Sequence, residues 1–349
     1  MMPRNNGLRL QAFATTGPLG RKIILVIQFF SLCVLWFTGC STNIKDVASN
    51  LELINGKPSE YQQAITEFER VIEINPESEW SHYNLGLVHY NQGEYQQAIK
   101  QFERVIEINP ESEWSHYNLG LVHYNQGEYQ QAIKQFERVI EINPNNTEVH
   151  NNLGLVYHNQ GKYPQAISEF EKVREINPDN AEAHNNLGLA YHNQGKYSQA
   201  ITEFEGVLKT DPNNVGAHNH LGLVYYSQGK YQQAISEFEK VIRLDPNNVE
   251  AHNHLGLVHY NRGEYPQAIA EFERVIRITP NNTEIYSNLG LVYYNQGKYP
   301  QAISEFEKVI RLDPNNAMAY YNLGLVYKEQ GKITESEAEF KKAKDMVTE

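Results

Sequence analysis

A tyrosine recurs every 34 residues through most of this 349-residue chain. These residues are Tyr61, Tyr95, Tyr129, Tyr163, Tyr197, Tyr231, Tyr265 and Tyr299, and each begins a Tyr-x-Gln-Ala-Ile-x-x-Phe-Glu segment. A fixed period of this length indicates a stacked array of small units rather than one globular core. Segments 61–94 and 95–128 differ at only two positions, so we expect successive copies to adopt the same local structure.

Each 34-residue repeat predicts two helices. In the repeat from Thr147 to Asn180, the first helical segment ends at Gly161, a residue type that favours the left-handed cap of a helix. Ala166, Phe170 and Val173 then recur at i, i+4 and i+7, which is the apolar stripe of a second helix. Pro178 stops that helix, and the two polar residues after it offer caps for the next repeat. We call the two helices of a repeat helix A and helix B.

The repeat resembles the tetratricopeptide repeat. The pattern of that family is bulky-x-x-Leu-Gly-x-x-Tyr in helix A and Ala-x-x-x-Phe-x-x-Ala in helix B, followed by Pro. The matching residues are His150, Leu153, Gly154, Tyr157, Ala166, Phe170, Val173 and Pro178. His150 stands where Trp is common in the family, and Val173 stands where Ala is common. The resemblance runs from Tyr61 to Glu349 and implies an all-α fold, a right-handed superhelical solenoid of stacked helix-turn-helix repeats.

The predicted array spans residues 61–349. A half-repeat covers residues 61–78, and eight full repeats begin at Glu79, Glu113, Thr147, Ala181, Val215, Val249, Thr283 and Ala317. In the last repeat Glu337 and Lys344 replace Ile303 and Ile310 of the repeat before it. A polar outer face on a terminal repeat prevents end-to-end association, so we expect this repeat to be a cap.

The first forty residues have the pattern of an export signal. Arg21 and Lys22 precede an apolar run from Ile23 to Phe37, which has the length of a signal-peptide core and is short for a membrane span of about 20 residues. The run ends in Phe37-Thr38-Gly39-Cys40, which resembles the lipobox of bacterial lipoproteins, although Leu is usual where Phe37 stands. The resemblance implies cleavage before Cys40 and attachment of lipid to its thiol and amine.

We therefore expect residues 1–39 to be a signal peptide of the lipoprotein type and residues 40–60 to be a tether with a degenerate first helix. Ser41 follows the cysteine, and by the same resemblance a residue other than aspartate there implies delivery to the outer membrane. The repeats would then lie in the periplasm of a bacterial cell envelope. The alternative is an uncleaved N-terminal anchor with the repeats in the cytoplasm.

The charge of the chain limits its partners. Four of the 30 Lys and Arg residues and none of the 42 Asp and Glu residues lie in residues 1–40, so the rest carries a net charge of −16. A body this acidic is a poor partner for nucleic acid, which requires neutralisation of phosphates. Anionic lipid surfaces are disfavoured for the same reason. Cys33 and Cys40 are the two cysteines, so no disulfide framework or Cys-based zinc cluster holds the repeats together.

Catalytic, metal and cofactor sites are not predicted. The 13 histidines include no pair at i, i+3 or i, i+4, the spacing that a helix-borne metal site requires. His150 and its counterparts occupy one repeat position, where we expect them at the contact between helices A and B. We expect Glu169 and Glu171 on helix B to form a solvated face. No nucleophile or acid stands outside the repeat rhythm, so we predict a non-catalytic protein without cofactor.

The candidate binding surface lies on helix A. Counting from the first residue of a repeat, positions four, seven, eight and eleven are expected to pack, which leaves positions two, five, six, nine, twelve and thirteen as the other stripe. In tetratricopeptide arrays this stripe lines the concave groove. The predicted groove residues are Trp80, Tyr83, Asn84, Leu87, Tyr90, Trp114, Tyr117, Asn118, Leu121, Tyr124, Asn152, Leu155, Asn186, Leu189, His220, Leu223, His254, Leu257, Asn288, Leu291, Asn322 and Leu325.

The position-six asparagines resemble the asparagine ladder in the tetratricopeptide domain of the transferase that adds N-acetylglucosamine to proteins. The resemblance implies sequence-tolerant capture of extended chains, because an amide both donates to and accepts from a peptide backbone. Trp80 and Trp114 are candidate ligand anchors. The alternative is that tryptophan at position two packs on a neighbouring helix.

The stripe contains only one basic residue, Lys328, whereas the carboxylate clamp of co-chaperone repeats requires several. A neutral to mildly basic, partly apolar peptide or protein partner fits better. The predicted function is a lipid-anchored interaction scaffold that helps to assemble an envelope complex. The alternatives are a cytoplasmic membrane-anchored adaptor and a chaperone-like holder of unfolded chains.

Overall fold

A computed structural model describes residues 58–348 of the chain. Cys40, the predicted signal peptide and most of the predicted tether lie outside these residues. The described range forms 17 helices and contains no strand. The helices are α1 Pro58–Ile74, α2 Glu79–Asn91, α3 Tyr95–Ile108, α4 Glu113–Asn125, α5 Tyr129–Ile142, α6 Thr147–Asn159, α7 Tyr163–Ile176, α8 Ala181–Asn193, α9 Tyr197–Thr210, α10 Val215–Ser227, α11 Tyr231–Leu244, α12 Val249–Asn261, α13 Tyr265–Ile278, α14 Thr283–Asn295, α15 Tyr299–Leu312, α16 Ala317–Glu329 and α17 Ile333–Thr348.

The helix bounds follow the sequence period. Every even-numbered helix is a helix A, and each begins at the residue predicted to open a repeat, from Glu79 in α2 to Ala317 in α16. The odd-numbered helices are helices B, and α1 is the helix B of the half-repeat. The predicted all-α array of helix-turn-helix repeats is confirmed.

Local chemistry sets the ends of each helix. At the start of α6 the Asn146 side-chain oxygen accepts a hydrogen bond from the backbone N–H of Val149 at 3.0 Å, which satisfies one of the free donors of the first turn. After α6 the chain turns at Gly161, whose φ is +72°. That left-handed conformation costs little for glycine, so the predicted cap is confirmed.

Helices A and B of one repeat approach closely through a glycine and a phenylalanine. A Cβ atom added to Gly120 would lie only 2.6 Å from Cε1 of Phe136, and Phe136 is fully buried. The same arrangement joins Gly154 to Phe170. The absence of a side chain at this glycine therefore permits the close approach of the two helices.

The described residues divide into two compact units, residues 58–172 and residues 173–348. A core of the first unit is built around Phe136, with Val149 and Leu153 of the following helix A. A core of the second unit is built in the same way around Phe238, with Leu255 and Val258.

The packed face of helix A is wider than predicted. Positions three and ten are also buried, for example Ser81 and Val88 in α2, whereas His89 at position eleven is only half-buried. The expectation of four packing positions was wrong because a helix A such as α2 packs both on its own helix B, α3, and on the helix B before it, α1. Two partners require a broader apolar stripe than one.

The last repeat ends in a polar helix. Glu337 and Lys344 in α17 are exposed, whereas Ile303 and Ile310 at the same positions of α15 are half-buried. The last helix therefore presents the polar outer face expected of a cap. Within residues 58–348 no helix combines the length and apolar character that crossing a membrane requires.

Candidate functional site

The candidate site is the A-helix face, defined as positions two, five, six, nine, twelve and thirteen of helices A. The leucine at position nine is half-buried in seven repeats and fully buried at Leu155. In the first compact unit Leu87 packs with Tyr83 and Tyr90 against the core that contains Phe102. The face therefore presents partly exposed apolar side chains that pack on the hydrophobic core beneath them.

Several asparagines at position six are buried. Asn84 is only 2% exposed. The side-chain amide of Asn118 donates to the Tyr83 hydroxyl at 3.1 Å and to the Trp114 carbonyl oxygen at 2.8 Å. Asn152 in the next repeat donates to the Tyr117 hydroxyl at 2.9 Å.

The Asn118 amide therefore donates with both of its N–H groups inside the array, and the Asn152 amide with one of its two. Both amides join neighbouring repeats, because a tyrosine at position five of the preceding helix A reaches the asparagine at position six. In the second compact unit Asn288 makes the equivalent bond to the Asn253 side-chain oxygen at 3.3 Å.

The tyrosines at position twelve form a second row of bonds between repeats. The Asn125 amide donates to the Tyr90 hydroxyl at 2.8 Å, and the Asn159 amide donates to the Tyr124 hydroxyl at 2.7 Å. Burial raises the pKa of both tyrosines and raises the pKa of Tyr83 to about 12. These hydroxyls therefore remain protonated at neutral pH and act as neutral hydrogen-bonding groups.

The two candidate tryptophan anchors have different environments although their repeats are nearly identical. The Trp80 ring makes an edge-to-face contact with Phe68 of α1, with 5.3 Å between ring centroids. Trp114 occupies the same repeat position and is 59% exposed. The ring that corresponds to Phe68 is Phe102, and it contacts Tyr83 instead, at 6.0 Å. Trp80 is thus a packing residue, and Trp114 presents a free aromatic surface.

In the second compact unit histidines replace two of the position-six asparagines. His220 and His254 lie against Phe204 and Phe238, with centroid separations of 5.2 and 5.4 Å. The Nδ1 atoms of both histidines are buried without a hydrogen-bond partner. Burial lowers the pKa of each ring to about 4. Both imidazoles are therefore neutral at pH 7.

A second set of histidines joins helices A and B, as predicted. His150 Nδ1 lies 2.7 Å from a Glu169 carboxylate oxygen, and its Nε2 lies 2.9 Å from the Pro144 carbonyl oxygen. Both ring nitrogens of His150 therefore face oxygen atoms, and the ring joins helix B to the turn before helix A. Burial alone would raise the pKa of Glu169, but hydrogen bonds from His150 and Lys172 lower it overall.

The expectation that Glu169 belongs to a solvated face was therefore wrong, since its side chain is only 12% exposed. Glu203 and Glu237 make the same contact with His184 and His218. A signal for this role was present in the sequence, because Gln or Glu stands 19 residues after each of these histidines. In the described part of the chain no group of three or more His, Asp or Glu side chains is arranged to hold a metal ion.

Comparison with protein families identifies the repeats. A family model described as TPR repeat matches residues 59–93, 88–127, 124–161, 156–195, 191–229, 222–263, 259–297 and 292–331. A second model, described as tetratricopeptide repeat, matches residues 317–346. The chain belongs to the tetratricopeptide repeat family. Proteins of this family bind peptide or protein partners and are generally non-catalytic scaffolds.

Solved structures include similar repeat proteins. A crystal structure of MamA is 33% identical over 46% of this chain and 95% of its own, with a TM-score of 0.43. A tetratricopeptide repeat protein from Parabacteroides merdae is 19% identical over 75% of this chain and 99% of its own, with a TM-score of 0.60. The latter shows the shared fold. No curated protein matches the chain.

Proposed function

We propose that this protein is a non-catalytic scaffold that binds extended peptide segments along its A-helix face. The observation that carries the proposal is the exposure of Trp114 at 59%, beside half-buried leucines at position nine. Large aromatic side chains supply much of the energy of protein interfaces. Because the amides of Asn118 and Asn152 already donate within the array, peptide contacts would be chiefly apolar and ionic.

The charge of the face defines the partner. Glu148 and Glu284 at position two are exposed, and Lys328 is the only basic residue at the six positions of the face. Charge complementarity therefore favours a neutral to mildly basic, partly apolar segment. An acidic peptide would meet carboxylates with almost no base to pair with.

Attachment to a membrane is the second part of the proposal, and the sequence around Cys40 supports it. Lipid on Cys40 would hold the repeats in the periplasm of a bacterial envelope, at the outer membrane because Ser41 follows the cysteine. The scaffold would there help to assemble an envelope complex. An uncleaved anchor with cytoplasmic repeats is the alternative for this part alone.

Binding is tested by selecting random 12-residue peptides displayed on phage against the full chain. We expect enrichment of related sequences whose binding is weakened by Trp114→Ala. Trp80→Ala is the matched control, because it alters the same residue type at the same repeat position where the ring is packed. Weak binding of many unrelated sequences would favour the chaperone-like holder. Failure to enrich any peptide would refute the proposed binding.

Attachment is tested separately by incorporation of radiolabelled palmitate in a bacterial host. We expect label on the wild type and on Cys33→Ala, and loss of both label and membrane association in Cys40→Ala. Cys33 is the matched control because it is the other cysteine and precedes the proposed cleavage site. An unlabelled wild-type chain would favour the anchored cytoplasmic adaptor.

A further inference from the structure

The Trp114 side chain contributes little to the packing between repeats. Its counterpart Trp80 packs on Phe68, whereas the equivalent Phe102 is contacted by Tyr83 and is fully buried. The Trp114 indole is therefore left 59% exposed on α4. An indole face is electron-rich and attracts cations.

A carboxylate is hydrogen-bonded to Tyr117, a neighbour of Trp114 on the same helix face. Tyr117 follows Trp114 by three residues on α4, a spacing that places the two side chains on one face with about 5–6 Å between their Cβ atoms. The Tyr117 hydroxyl lies 2.5 Å from a Glu148 carboxylate oxygen. Because the same hydroxyl accepts from the Asn152 amide at 2.9 Å, its own proton must point to Glu148. This bond ties Glu148 of α6 to the face of α4 that carries Trp114 and Tyr117.

In the described part of the chain no lysine or arginine forms a salt bridge with Glu148, and Arg138 of the adjacent helix α5 is paired with Glu111 and Glu141. Glu148 is exposed, and α2, α4 and α6 contain no lysine or arginine. The other carboxylate beside the tryptophan, Glu113, accepts from the side chains of Asn143 and Asn146 at 3.1 and 2.7 Å. An exposed aromatic ring and a carboxylate with spare acceptor capacity are thus linked through Tyr117.

We propose that Trp114 and Glu148 bind the side chain of an arginine in the partner peptide. This inference rests on the proposed peptide-binding function and adds the residue that this part of the face recognises. A guanidinium is planar and weakly hydrated, so it stacks on an indole while its N–H groups donate to a carboxylate. The free acceptor sites of Glu148 and the exposed Trp114 ring supply both contacts at once.

The test uses the most enriched 12-residue peptide from the phage selection on the full chain. The peptide is resynthesised with each arginine replaced by citrulline, which keeps the shape and loses the charge, and affinities are measured by fluorescence anisotropy. We expect arginine in the enriched sequences and about tenfold weaker binding of the citrulline peptide to the wild type. Glu148→Gln should reduce the ratio of the two affinities, because only the attraction of the Trp114 ring for the charge then remains.

Glu284→Gln is the matched control, because Glu284 occupies the same repeat position in the second compact unit, and it should keep the tenfold ratio. Trp114→Ala should weaken the arginine peptide, with Trp114→Phe retaining part of the affinity. Enriched peptides without arginine, or a ratio unchanged in Glu148→Gln, would overturn the inference and leave the proposed function standing. Failure to enrich any peptide would overturn both.

Discussion

Acid should weaken the second compact unit, because two histidines are buried there as neutral rings. His220 and His254 stand at position six, and burial lowers the pKa of each from 6.5 to about 4. The neighbouring histidines His192 and His254 lower the pKa of His220 further. Protonation within the fold is therefore opposed.

The sign and size of the effect follow from linkage. The unfolded chain binds protons near pH 6.5 and the folded chain near pH 4, so stability is lost as the pH falls through this interval. At pH 5 each histidine costs about 2 kcal/mol relative to pH 8. Other groups of the chain also bind protons in this interval, so the comparison requires a variant that changes His220 and His254 alone.

The double variant His220→Asn with His254→Asn supplies that comparison. Asparagine is the residue at this position in the other repeats, and Asn288 shows that it bonds to the asparagine before it. Hydrogen exchange of α10 and α12, corrected for the intrinsic rates at pH 7.5 and pH 5, reports their opening free energies. We expect the wild type to lose about 4 kcal/mol more than the variant. Equal losses in the two proteins would refute the reasoning.

Three further predictions concern stability in the first compact unit. Gly120→Ala should destabilise by about 3 kcal/mol through its clash with a buried aromatic ring, whereas Gly127→Ala, at φ +75° with open space around it, should cost about 1 to 2 kcal/mol. Urea unfolding measures both, and equal costs would contradict the packing role. Tyr117→Phe should cost about 1 to 3 kcal/mol because it removes two hydrogen bonds, and an unchanged urea midpoint would contradict those bonds. Trp80→Ala should lower the melting temperature more than Trp114→Ala, and the reverse order would contradict their different burial.

The sequence predicts the fold well because the period is repeated so often. Eight copies of one spacing place the first residue of every helix A, from Glu79 to Ala317, where the structure has it. Capping asparagines such as Asn146, and Gly161 with its positive φ, act on residues close to them in sequence. The sequence of the repeat is therefore enough to predict both. The width of the packed face was missed because it depends on two different helices B.

The candidate site was less predictable, because its residues interact between repeats. Trp80 and Trp114 have the same neighbours in sequence. They differ because Trp80 contacts Phe68, whereas the equivalent Phe102 is contacted by Tyr83. Donation from the Asn118 amide to a tyrosine 35 residues earlier requires knowing the offset between successive helices A. A single repeat read by itself contains neither fact.

Hydroxyl-radical footprinting of the full chain with an enriched peptide tests most directly whether the A-helix face is the binding surface. We expect reduced oxidation of Trp114 and of half-buried leucines such as Leu87 and Leu121 when peptide is added. Ile278 and Leu312, exposed at the ends of helices B, should react equally with and without it. Protection of these two residues with Trp114 unchanged would show that peptides bind elsewhere.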